Sequence, residues 1–157
     1  MSTKTTSYEQ DFYTWTQEQA AFLRKGAVQE LDLPNLAEEV ESLGISQKHA
    51  LASHLRNLMM HLLKWHYQPS GRQMGHSWQS SIINARDEIA TILEDLPSLQ
   101  QQVEGLVTRR YPAARRLAQS ETGLPLATFP ETCPWSKSEV LDPHFWPGDA
   151  RDTTVLP

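Results

Sequence analysis

Residues 35–67, NLAEEVESLGISQKHALASHLRNLMMHLLKWHY, are the longest periodic stretch in the chain, and the rest of the sequence is arranged as packing for it. At about 100° per residue, Leu36, Val40, Leu43, Gln47, Leu51, His54, Leu58, His61, Leu62 and Trp65 fall on one face. That face is expected to be a core seam. The other side carries Glu38, Glu41, Ser42, Lys48, His49, Arg56 and His66, the residue types that water contact requires. One unbroken helix of this length would run roughly 50 Å at about 1.5 Å per residue. Gly44 costs about 1 kcal/mol relative to Ala in a helix interior, so a bend is expected there more than a break.

Upstream, Ser7 and Gln10 have the spacing of a capping box, and a first helix is expected to begin there. Tyr8, Phe12, Trp15, Phe22 and Leu23 recur at helical spacing until Gly26 supplies a stop. Asp32 suits the N-cap of the long helix with Pro34 in the first turn; Asn35 with Glu38 is a second possible cap. Downstream, Pro69, Gly71 and Gly75 turn the chain. Ser77 can then cap a third helix with a seam of Trp78, Ile82, Ala85, Ile89, Ile92 and Leu96. Pro97 ends it and starts a fourth helix, with Leu99, Val103, Leu106 and Arg110 on one side. Pro112 removes a backbone donor, which predicts a kinked or two-piece helix closed by Gly123.

From Leu124 onward the chain is dense in proline and aromatic residues. Ser136 and Glu139 can cap one short turn. Leu126, Phe129, Trp135, Leu141, Phe145 and Trp146 are too apolar for a free tail, whereas residues after Asp149 have nothing to anchor them and are expected to fray. The expected fold class is all-α: an antiparallel helical bundle of four main helices with the Pro- and aromatic-rich C-terminal tail wrapped on it. A single domain over 1–157 is expected, with its core at about 7–123 and the irregular wrap at about 124–149.

A chain of 157 residues is one domain's worth, and such a domain buries about 68–70% of its extended-chain surface. A net charge of -5 argues against coating nucleic acid or an anionic membrane as the main task. Cys133 is the one cysteine, which excludes an internal disulfide and a multi-cysteine metal site and fits a reducing compartment. The first residues, MSTKTTSYEQDFY, hold no apolar leader core, and no run approaches the ~18 apolar residues of a membrane span. A cytoplasmic protein is expected.

The run YEQDFYTWTQEQAAFLR, then LDLPNLAEEVESLG, HLLKWHYQP, and SW followed by Arg86, resembles the bacterial family catalogued as domain of unknown function 29. The match covers roughly residues 8–99, with ETGLPLATFPETCPW seen in some members. The resemblance implies a small all-helical protein and no particular activity.

Several residues are candidates for chemistry. Glu38, Glu39 and Glu41, with Glu30 and Asp32, make an acidic section near a helix N-terminus, which the backbone dipole favours. Such a run is usually a solvated face; the sharper possibility sets Glu38 or Glu39 against His54, His61 or Arg86 of a neighbouring helix, as ligands or a general base. On one helix Glu39 and His61 would lie about 33 Å apart, and His54 and His61 about 10.5 Å apart. No Glu-x-x-His pair accompanies them, since Leu51 and Leu58 stand three residues before the two histidines. No cofactor and no metal are expected; His61 is the one residue retained as a possible metal ligand.

His61, Lys64 and Trp65, with Trp78 and Arg86 on the next helix, form the constellation to test as a catalytic or ligand-binding core, with Trp15 a further ligand candidate. A core histidine more often only satisfies a hydrogen bond. Arg86 could pair with Glu39 or Asp11, or hold an anion in its fork. In RRYPAARR, Arg109, Arg110, Arg115 and Arg116 surround Tyr111, the ingredients of a single-strand contact. With an acidic net charge these arginines are expected instead to pair with the acidic section of the same or a neighbouring subunit, and nucleic acid is not the expected partner. No GxGxxG, Walker loop, GxSxG or HExxH occurs. The balance leans away from an enzyme, toward an interaction or accessory protein whose partner is another copy or another protein.

Overall fold

The computed structural model describes residues 6–73 and 77–148. Among them the chain is all-helical, with no strand: α1 (Phe12–Lys25), α2 (Leu33–Tyr67), α3 (Ser77–Asp95), α4 (Val103–Thr122) and the short α5 (Lys137–Leu141). Short 3-10 turns occupy Val28–Glu30, Pro69–Gln73, Pro97–Gln102 and Leu126–Thr128. The turn through 74–76 and the fraying expected after Asp149 lie outside the described residues. The chain divides into two compact units, Met1–Ser46 and Gln47–Pro157. Helix α2 enters both and is uninterrupted at Gly44.

In the first unit α1 begins later than the Ser7 capping box predicts. Ser7 Oγ does accept from Gln10 N–H at 3.2 Å, but residues 8–10 form a turn. Asp11 is the cap, taking the Thr14 N–H at 3.0 Å and the Thr14 hydroxyl at 2.7 Å. The turn frees the Tyr8 ring to pack edge-on against Phe12 and Trp15. Gly26 closes α1 as expected: its φ of 69° is left-handed, and the Gly26 and Ala27 N–H groups bond Leu23 and Phe22 carbonyls. Asp32 starts α2 by accepting from Asn35 N–H at 3.4 Å and Asn35 Nδ2 at 2.8 Å.

The second unit holds one continuous apolar core. Leu51, Leu55, Leu58, Met59, Leu62 and Leu63 of α2 meet Ile82, Ala85, Ile89 and Leu93 of α3 and Val103, Leu106, Val107, Tyr111, Ala114 and Ala118 of α4. Phe129, Trp135 and Val140 of the C-terminal segment complete it, so the wrap is part of the core.

The seam expected on α2 is corrected in two places. Leu55, Met59 and Leu63 are buried, while His54 and His61 sit at the edge. From Leu51 a step of four residues drifts about 40° and a step of three about 60° the other way; burying Leu55 in place of an imidazole decides between them. Val40 and Leu43 are exposed, at 66% and 68% of their surface, rather than in a core. On α4 the inward position is Tyr111, not Arg110, for the same reason of phase. The helix also runs through Pro112 in one piece. Pro112 and Thr108, whose carbonyl loses its helical donor, both lie on the exposed side, so the missing bond is not a buried loss.

The tail is fastened by long side chains to backbone carbonyls. Arg115 donates to Phe129 O at 2.9 Å and Leu126 O at 3.1 Å, Tyr111 Oη to Pro130 O at 2.6 Å, and Arg72 to Pro147 O at 3.1 Å. The Ser136–Glu139 capping box forms as expected and starts α5.

Candidate functional site

Lys64 is the chemically most constrained group of the second unit. A lysine on the buried face of α2 must keep its charge paired or lose it. Lys64 Nζ bonds the Glu121 carboxylate of α4 and lies 4.8 Å from the centroid of the Trp78 ring. Trp78 in turn lies against Gly71, where an added Cβ would come within 2.1 Å of the ring, so only glycine fits. His61, one turn before Lys64, is half-buried, and its Nδ1 makes no hydrogen bond among the described residues. Burial first, and the Lys64 charge second, hold its imidazole below the ordinary value of 6.5, with Glu121 opposing.

The neutral imidazole therefore favours the folded state. Because the unfolded chain binds the proton more tightly, stability is full above about pH 6.5 and falls as pH drops toward the lowered folded value. His61→Gln is expected to flatten that part of the stability profile between pH 7 and 5, read by urea denaturation at each pH. An unchanged slope would remove His61 from the account.

Arg86 takes a different environment. Its Nε donates to Val140 O at 3.0 Å and Nη2 to Glu139 O at 3.4 Å, and its guanidinium stands 5.7 Å from the Trp146 ring centroid. Nη1 is buried without a hydrogen bond among the described residues. Burial lowers the Arg86 pKa to about 10, with Asp142 pulling the other way. Trp65 packs on Trp146 at 4.8 Å beneath Arg72. Glu121 and Trp78 thus meet at Lys64, with His61 one turn away, and Arg86 and Trp65 belong to the tail contact with Trp146. Cavities of about 310 and 290 Å³ flank Arg86; neither is lined by His61, Lys64 or Trp78.

In the first unit, Trp15 Nε1 donates to Asp32 at 3.1 Å, and the buried Gln19 accepts from Asp32 N–H at 2.8 Å. The Asn35 amide is the main cause that lowers the Asp32 pKa. Trp15, Gln19 and Asp32 border an open polar cavity of about 470 Å³ together with Tyr8, Glu30 and Asn35. Glu39 accepts from Tyr8 Oη, and Glu38 is exposed. Asp11 is engaged as the α1 cap. Among the described residues no group of three or more His, Cys, Asp or Glu side chains is placed to hold a metal ion, and no helix is long and apolar enough to cross a membrane.

The cluster RRYPAARR is divided by the fold. Arg109, Arg110 and Arg116 are exposed, Arg115 is tied to carbonyls, and Tyr111 is buried. Sequence reasoning missed Glu121 as the counter-charge of Lys64. The signal for it was available: a lysine between Leu63 and Trp65 on an apolar face needs a carboxylate from elsewhere.

A family model described as "Domain of unknown function DUF29" matches residues 7–146. The chain belongs to this family. The DUF29 match takes in both α1 with its Asp32 contacts and the tail through Trp146. No curated protein and no solved structure matches the chain.

Proposed function

We propose that the protein is an interaction module that pairs with a second copy of itself through the first half of α2. The observation that carries this is the exposed stripe Leu33, Leu36, Val40 and Leu43, spaced three, four and three residues apart. Leu33, Val40 and Leu43 are each more than half exposed, and Leu36 is half-buried. This is the spacing of a helix–helix seam, and a β-branched residue at one seam position with leucines at the alternate ones suits a two-stranded pairing. A stripe on one helix is also self-complementary about a two-fold axis, as an isologous dimer requires.

All the exposed large apolar side chains among the described residues except Ile83 fall within 12–45. Such concentration in one region supports an interface there. Glu38 and Glu41 on the solvent side of the same helix keep it soluble when unpaired. One free cysteine and the family resemblance fit a reducing, cytoplasmic setting in a bacterium.

Native mass spectrometry of untagged protein is expected to give twice the mass of the 17.9 kDa chain. Val40→Glu with Leu43→Glu should return the single-chain mass with the circular dichroism unchanged, because both side chains face solvent. A wild-type chain that stays monomeric at tens of micromolar would overturn the proposal.

A further inference from the structure

We infer that the cleft between α2 and α4 in the second unit is a binding site for a compact, multiply charged phosphate anion, of the diphosphate class. This goes beyond self-association and does not depend on it. Lys48 and His49 at the start of the unit and Arg109 and Arg110 on α4 line a cavity of about 300 Å³ floored by Ala52 and Leu106. The lining contains no acidic side chain.

The side chains of Lys48, His49 and Arg110 make no hydrogen bond or ion pair among the described residues. Arg109 donates only to Gly105 O of its own helix, at 3.4 Å. Three basic side chains and an imidazole therefore face one small space, with no partner supplied by a chain that carries 19 acidic residues against 14 basic ones. Like charges gathered this way repel one another, and an anion between them removes that repulsion. Guanidinium forks present paired donors that match phosphate oxygens, and a lysine adds a point charge. The two apolar floor residues back the cavity on its inner side, which strengthens the field within it.

The size and surroundings select a compact ligand. A cavity of about 300 Å³ is at the small end of ligand sites. A nucleic-acid strand would need an aromatic platform, and the nearby Tyr111 is buried with its hydroxyl donated to Pro130 O. Arg115 is likewise committed to the carbonyls of Leu126 and Phe129.

The test is calorimetric titration of the full chain with pyrophosphate, with inorganic phosphate, and with a short single-stranded oligonucleotide, in low salt and again in about 200 mM salt. Pyrophosphate is expected to bind once per chain, more tightly than phosphate, and to weaken as salt rises. Arg109→Ala with Arg110→Ala should weaken it at least tenfold with circular dichroism unchanged, since both side chains are exposed. Val40→Glu with Leu43→Glu should leave pyrophosphate affinity intact while altering the native mass, which separates this site from the dimer seam. Absence of pyrophosphate binding by the wild-type chain, or binding that survives loss of both arginines, would overturn the inference. So would an oligonucleotide that binds through the same arginines more tightly than pyrophosphate, which would assign the cleft to a strand.

Discussion

Trp15→Ala is expected to destabilise the protein by about 3–5 kcal/mol, the range for removing a buried aromatic. Trp15 is only 2% exposed and is the centre on which the first unit is assembled. Tyr8 packs edge-on at 4.9 Å and Phe12 stacks at 5.9 Å. Its indole N–H bonds Asp32, the same carboxylate that starts α2. Trp15→Phe keeps most of the ring packing but drops the hydrogen bond to Asp32, so its loss should be the smaller of the two. Urea denaturation gives the totals, and hydrogen exchange locates the loss. Fast exchange should appear in residues 12–25 and at the start of α2. A Trp15→Ala chain within about 1 kcal/mol of wild type would mean that the packing around the indole contributes little.

Phe129→Ala should cost a similar amount, about 3–5 kcal/mol, although Phe129 lies in an irregular segment. Its side chain is 1% exposed, meets Tyr67 edge-on at 5.6 Å, and belongs to the same core as Leu58 and Ile89. The backbone on either side is held by Arg115 and Tyr111, so the segment cannot collapse freely into the space left behind, and the cavity persists. If the tail only lay on the surface, the loss would be below about 1 kcal/mol. Guanidinium denaturation, with the near-ultraviolet dichroism of the surrounding tryptophans as a second readout, distinguishes the two.

The helices were legible in the sequence because their punctuation is chemical and local. Gly26 and Gly123 end helices by adopting positive φ, and Ser136 with Glu139 makes the cap its spacing implies. Phase along α2 was less legible, because periodicity shows which residues share a face and not whether anything covers it. Val40 and Leu43 are as apolar as Leu55 and Leu62, yet only the latter pair is buried. Ser7 and Asp11 are both able caps, and the choice rests on where Tyr8 places its ring. At the site, spacing set Lys64 and Trp78 on neighbouring helices, and the fold brings them 4.8 Å apart. Glu121 was not legible, because a contact across 57 positions leaves no local trace. Lys48 and His49 were assigned to a solvated face; His49 is exposed and Lys48 half-buried, and only the fold sets them opposite Arg109 and Arg110.

The carbonyl-directed fastening of the tail has a consequence for how this sequence can drift. Every residue carries a backbone carbonyl, so the acceptors at Leu126, Pro130, Glu139 and Pro147 survive almost any change of side chain at those positions. The donors have no such freedom: Arg86 and Arg115 each reach with a fork that lysine does not reproduce. The tail can thus diverge quickly at its exposed positions while keeping its path. Mutational tolerance should be steeply uneven, wide at the exposed positions of the tail and narrow at the arginines that reach its carbonyls and at the buried Phe129 and Val140.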